Sequence, residues 1–189
     1  MKRSKFLSLP VSLLIALIIA VSSAGVALAT SYFYDFSSGL SPWTGGKDPN
    51  VIAYSVGTSR FDNGTCQSPI DSFALLTLSG RSDDVSGIWM QASFPGGIAE
   101  VSHVKVSWEA KDKGNCSLCK VLIYIGGTTP SNTSQFTSMG AAPSNWTGYS
   151  YSADLVRADP IYVALGFTDT GTTLPASLGI DCVKVDITP

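Results

Sequence analysis

The sequence predicts an all-β protein: a two-sheet antiparallel β-sandwich with about nine strands. Three observations predict it. After the first thirty residues, no segment keeps a helical period. Short β-branched and aromatic runs recur instead, broken by Gly, Pro, Asn, Asp and Ser clusters. Several runs alternate apolar and polar residues, which gives a strand one buried and one wet face. The strands read as 31–36, 51–57, 73–79, 86–94, 101–109, 119–125, 148–153, 161–168 and 179–187.

The alternation is clearest in four of them. In 86–94, Ile88, Met90, Ala92 and Phe94 face one way, and Trp89, Gln91 and Ser93 the other. In 101–109, Val104, Val106 and Trp108 oppose Lys105, Ser107 and Glu109. In 161–168, Ile161, Val163, Leu165 and Phe167 oppose Tyr162, Ala164 and Gly166. In 179–187, Val183, Val185 and Ile187 oppose Cys182, Lys184 and Asp186. From these rows Met90, Phe94, Val104, Val106, Trp108, Val163, Leu165, Phe167, Val183 and Val185, with Val121 and Ile123 of 119–125, are the expected core. Pro95-Gly96-Gly97, Asp112-Lys113-Gly114-Asn115, Gly126-Gly127 and Asp169-Thr170-Gly171 supply turn chemistry between strands. The longest gap, 128–147, is rich in Ser, Thr, Pro and Asn and reads as a long loop.

The N-terminus indicates where the protein works. Met1-Lys2-Arg3-Ser4-Lys5 is basic, Val11 to Val21 is an uncharged apolar run, and Ala27-Leu28-Ala29 is a small-x-small pattern. This is the layout of a secretory signal peptide over residues 1–29. A single domain over 30–189 follows, secreted or held at the cell surface. An uncleaved anchor is the alternative, since no charge falls between Lys5 and Asp35. Three of the twelve Lys/Arg lie in the signal, which leaves nine against fourteen Asp/Glu and a net charge of −5. No basic patch remains to attract nucleic acid or an anionic membrane, so no membrane partner is expected after cleavage.

The cysteines are Cys66, Cys116, Cys119 and Cys182. In an oxidising compartment they read as two disulfides, and their spacing leaves the pairing open. We expect Cys116–Cys119 across a turn and Cys66–Cys182 reaching the last strand. The Cys116-x-x-Cys119 spacing also suits half a zinc site, but no second such motif accompanies it, and the sole histidine is His103. Asn63, Asn115, Asn132 and Asn145 each begin an Asn-X-Ser/Thr sequon in a turn-like stretch and are candidate glycosylation sites.

Several segments, in order, carry a resemblance. Asp35-Phe36-Ser37-Ser38-Gly39 before Pro42-Trp43 resembles the opening of secreted jelly-roll modules. Val104-Lys105-Val106-Ser107-Trp108 resembles their central strand. Trp146 to Leu155 with Ile161-Tyr162-Val163-Ala164 resembles a later stretch, and Leu178-Gly179-Ile180-Asp181-Cys182-Val183-Lys184-Val185 the closing strand. The set is similar to the MAM, cleaved-adhesin and galactose-binding-like carbohydrate-binding-module group. The resemblance implies a jelly roll and a structural calcium site at Asp35 and Asp181, but no required cofactor. The chain departs from the pattern at Ser37 and Cys182, where the group carries acidic residues.

No catalytic residue is expected. His103 begins a strand on its polar side, no Gly-x-Ser-x-Gly elbow is present, and Asp83-Asp84 sits where Asp serves turn chemistry. Trp43, Trp108 and Trp146 read as packing residues. Trp89 falls on the polar side of its strand beside Gln91, and Tyr124 shares a face with Lys120. An aromatic ring on a wet face suits the C–H face of a sugar, so Trp89, Gln91 and Tyr124 are the candidate carbohydrate-binding residues. The expected function is non-catalytic recognition of a glycan or a surface glycoprotein. A structural or adhesive protein without a small ligand is the first alternative, and a glycoside hydrolase the second.

Overall fold

The computed structural model describes residues 29–60, 72–96 and 101–189. Asn63, Cys66, Gly97 and all but the last residue of the expected signal peptide lie outside the described residues. Eleven strands run in order: β1 (Thr30–Tyr34), β2 (Thr44–Lys47), β3 (Val51–Arg60), β4 (Ser72–Arg81), β5 (Ser86–Phe94), β6 (Val101–Gly114), β7 (Lys120–Gly126), β8 (Thr137–Ala141), β9 (Thr147–Val156), β10 (Ile161–Asp169) and β11 (Ala176–Thr188). A single 3₁₀ turn covers Thr133–Gln135.

The strands form two antiparallel sheets. One has the order β3-β4-β11-β6-β9, with β1 also paired to β11. The other has the order β2-β5-β10-β7-β8. From β4 to β7 and from β9 to β11 the chain changes sheet at every step, which is jelly-roll connectivity. Strand β11 is long enough to serve two neighbours along one side. Ala176–Ile180 pair with β4, and Val183–Ile187 pair with β1. Its other side pairs with β6, with a register shift between Asp181 and Lys184 where Cys182 takes φ 54°. The Ser31 hydroxyl of β1 donates to Asp186 of β11, and Lys184 Nζ lies 2.9 Å from the same carboxylate. Chiefly the Ser31 bond, and then Lys184, hold the Asp186 carboxyl below the usual carboxylate range against the opposing effect of burial.

All of the expected core residues are buried between the sheets: Met90, Phe94, Val104, Val106, Trp108, Val121, Ile123, Val163, Leu165, Phe167, Val183 and Val185. Trp108 stacks on Tyr149 at 5.4 Å between centroids. Trp43 meets Tyr34 and Phe94 edge-on at 5.5 and 6.2 Å. On the outer side of the β4 sheet, Phe73 is buried beneath Trp146, with Lys113 Nζ 4.6 Å from the Phe73 centroid. The three tryptophans assigned to packing therefore do pack.

One end of the sandwich is closed by polar contacts. Arg81, at the end of β4, places Nη1 3.3 Å from Asp169 Oδ2 at the end of β10. Its guanidinium also donates to the carbonyls of Asp169 and Gly171. Asp169 is fully buried, and its Oδ1 accepts from Gly171 N at 2.9 Å. Beside it, Cys116 and Cys119 form the expected disulfide and are buried. Cys182 is also disulfide-bonded, and there is no free cysteine among the described residues.

Two features differ from the sequence reading. Eleven strands form among the described residues rather than nine, because β2 (Thr-Gly-Gly-Lys) and β8 (Thr-Ser-Met-Gly-Ala) carry turn residues and no apolar alternation. Both lie at sheet edges, where backbone pairing on one side holds a strand that propensity would not. The stretch 128–147 is accordingly not one loop: it holds the 3₁₀ turn and β8.

Candidate functional site

The outer face of the β5 sheet brings together the three residues singled out by sequence. Register places Thr44, Gln91, Ala164 and Tyr124 in one row across β2, β5, β10 and β7. The next row is Gly46, Trp89, Gly166 and Leu122. Ser93, Tyr162 and Gly126 form the row on the other side of Gln91. Trp89, Gln91 and Tyr124 therefore share a face, as alternation requires.

The face is not uniformly wet, and this corrects the expectation for Trp89. Its ring is 2% exposed. The segment between β7 and β8 folds back over the sheet and lays Phe136 against both Trp89 and Tyr124, at 5.2 and 5.6 Å between centroids. The floor is made of small residues. A Cβ on Gly46 would stand 2.1 Å from Trp89 Nε1, and one on Gly166 2.6 Å from Trp89 Cβ, so only glycine leaves the indole its slot. Alternation assigned the right face but could not foresee a cover supplied by a segment some fifty residues away.

Asp48 anchors that cover. It is buried, and it accepts from Gly87 N at 2.7 Å, Thr133 N at 2.7 Å and the Thr133 hydroxyl at 2.6 Å. Asn132 caps the turn by accepting from Ser134 N, and Tyr124 Oη donates to the Thr128 carbonyl at 2.8 Å. Sequence reading missed Asp48, because a lone Asp between Lys and Pro reads as turn chemistry. Replacing Asp48 with alanine leaves two N–H groups without their acceptor and is expected to cost about 2–3 kcal/mol. Urea melts check the cost. Increased proteolysis within 127–136 should accompany it; a variant that melts and resists protease like the wild type would mean the latch holds nothing.

Beyond the cover, the face opens into a cleft of about 160 Å³ lined by Pro42, Thr44, Gln91, Ala92, Ser93 and Tyr162. Gln91 is thus the predicted residue that lines this cleft. The lining has amide and hydroxyl groups, two rings and no charge. Inside the sheet edge, Trp89 Nε1 donates to Gln91 Oε1 at 2.8 Å.

The other predicted residues lie elsewhere. Asp35 follows β1 and accepts from Ser37 N and the Ser37 hydroxyl at 3.1 and 2.8 Å. Asp181 is buried on β11 and accepts from Cys182 N at 2.8 Å. The Tyr34–Val183 pair puts the two acids near one sheet end. No group of three or more His, Cys, Asp or Glu side chains gathers to hold a metal among the described residues. His103 is exposed on the outer side of β6, its Nδ1 2.7 Å from Asp154 Oδ1. Asp83 and Asp84 are exposed between β4 and β5. Of the sequon residues, Asn145 and Asn115 are exposed and Asn132 is half-buried. Asn115 also takes φ 56° and donates to the Pro175 carbonyl at 3.0 Å.

Fold and face together define a two-sheet jelly-roll sandwich with an uncharged cleft on one outer sheet. The same fold occurs in cleaved-adhesin domains and carbohydrate-binding modules. The K1 cleaved adhesin domain of Lys-gingipain from Porphyromonas gingivalis W83 superposes with a TM-score of 0.52 at 15% identity, covering 84% of this chain and 98% of that one. The CBM22-1 xylan-binding domain of Paenibacillus barcinonensis Xyn10C gives 0.53 at 12% identity, covering 82% and 92%. TmCBM61, solved in complex with beta-1,4-galactotriose, gives 0.52 at 13% identity, covering 80% and 92%. No family model matches the sequence, and no curated protein matches it.

Proposed function

We propose that this chain is a secreted, non-catalytic binding module that takes neutral saccharides in the cleft between Pro42 and Tyr162. The observation that carries the reading is the cleft lining: two rings for the apolar side of a sugar, Gln91, Ser93 and Thr44 for its hydroxyls, and no ionisable carboxylate or base. A carboxylate pair is what glycoside hydrolysis uses, so the lining favours binding over cleavage. The net charge of −5 over residues 30–189 disfavours polyanionic glycans. The likeness to carbohydrate-binding modules supports the same class of ligand.

Gln91 and Tyr162 contact the sugar in this reading, while Trp89 and Tyr124 form the packed ground beside them. An open cleft of this size implies weak single-site affinity, on the order of micromolar to millimolar, strengthened by repeated display of the glycan. The test is a glycan array followed by titration calorimetry with wild type and Tyr162→Ala. Binding that falls at least about tenfold in a variant melting like the wild type is the expected result. An array without a single hit would remove the carbohydrate reading and leave adhesion to a surface protein.

Calcium is the second part of the same proposal. Asp35 and Asp181 supply two carboxylates near one sheet end, where Asp35 accepts from Ser37 and Asp181 from Cys182 N. A hard cation there would draw its remaining oxygens from backbone and water, since such ions take six to eight. Its role is to tie the end of β1 to β11. The expected outcome is a melting temperature that rises with calcium concentration in wild type and does so less in Asp35→Asn. Superimposable melts in calcium and in chelator would dismiss the site.

A further inference from the structure

We infer that the cleft selects a saccharide bearing an acetamido group, because Trp89 locks the Gln91 carboxamide as an outward-facing hydrogen-bond donor. The inference rests on the carbohydrate-binding reading above and names the class of sugar.

An indole N–H donates and never accepts. Trp89 Nε1 lies 2.8 Å from the Gln91 side chain, so the atom facing it is the carbonyl oxygen Oε1. The amide nitrogen Nε2 is then on the other side, and it makes no hydrogen bond among the described residues. Gln91 is part of the cleft wall. The indole cannot turn to release it, because Phe136 covers one side and Gly46 and Gly166 press on the ring and its Cβ.

This arrangement changes what glutamine can recognise. A free carboxamide uses one donor and one acceptor to grip two neighbouring sugar hydroxyls. Here the carbonyl oxygen is turned toward the buried Trp89 ring, so the donor half is the one left facing away from it. A ligand atom that needs no acceptor in return is a carbonyl oxygen. The rings of Pro42 and Tyr162 line the same small cleft, so a methyl group beside that carbonyl finds apolar contact. An acetamido group carries both. A hydroxyl in its place can accept from the same N–H, but it must also place its own proton away from a carbonyl that is turned toward Trp89, and it lacks the methyl. Trp89 acts through Gln91 and is a positioning residue, not a stacking platform.

The test uses the secreted chain, a glycan array, and the trisaccharides chitotriose and cellotriose, which differ by acetamido against hydroxyl. Array hits should carry acetamido groups, and calorimetry should favour chitotriose by about tenfold or more. Gln91→Glu keeps an oxygen for Trp89 and the shape of the side chain, but replaces the outward donor with an acceptor. It should abolish the preference and leave the melting temperature unchanged. Trp89→Phe keeps a ring against Phe136 and deletes the pinning N–H together with part of the indole; the preference should shrink severalfold. Hits lacking acetamido groups, equal binding of the two trisaccharides, or a Gln91→Glu variant that retains the preference would overturn the inference and leave carbohydrate binding standing. An array with no hits overturns both.

Discussion

Replacing Arg81 with methionine is expected to destabilise the folded chain by about 3–5 kcal/mol. Arg81 sets its charge against Asp169, which is fully buried with Oδ2 3.3 Å from Nη1. Methionine fills much of the same volume, so the loss comes from charge and hydrogen bonds, not from a cavity. The substitution leaves a buried carboxylate without its counter-ion. It also strips the carbonyls of Asp169 and Gly171 of their donor. The pair joins the end of β4 in one sheet to the end of β10 in the other, so the variant should also open that end of the sandwich. Equilibrium urea unfolding measures the effect. Adding Asp169→Asn in the Arg81→Met background should recover part of the stability, because the unpaired charge goes while the acceptor for Gly171 N remains. A loss below about 1 kcal/mol in the single variant would show that water reaches the carboxylate and that the pair behaves as a surface one.

The second large effect belongs to Trp108. Truncation to alanine should cost about 3–5 kcal/mol, the range for emptying a buried aromatic site. Trp108 is 2% exposed, sits between the sheets and stacks on Tyr149. Lys105, three residues earlier on the outer face of the same strand, should cost under about 0.5 kcal/mol when changed to alanine. A finer contrast comes from Trp108→Phe. Trp108 Nε1 is buried without a hydrogen-bond partner, so phenylalanine removes an unsatisfied donor along with part of the ring. It should cost clearly less than alanine. Equal losses at Trp108 and Lys105 in the same melts would invert the assignment of faces.

The contrast between those two residues was legible in the sequence because β6 alternates without interruption from Ser102 to Ala110. The same holds for β5, whose bounds of 86–94 match the sequence reading at both ends, and for the buried row of β10. Where the local pattern was weak, the reading lost elements. Strands β2 and β8 are made by pairing with β5 and β7, not by their own residues. At the candidate site, alternation put Trp89, Gln91 and Tyr124 on one face and thereby found the surface. It misjudged the exposure of Trp89. Asp48 and Phe136, which decide that, read alone as a turn residue and a stray aromatic.

The sequence by itself determined the fold class, the membership of the core and the shared face of Trp89, Gln91 and Tyr124. These follow from a two-residue period, and a period is a local property written along each strand. Only the tertiary structure decided that Trp89 is covered, that Gln91 is held by it, that Arg81 and Asp169 meet, and that Tyr162 and Pro42 flank one cleft. Each of these joins residues from strands or segments remote in sequence. Such contacts depend on which segment crosses which face, and that is settled by the packing of the whole sandwich, which no short window of residues contains.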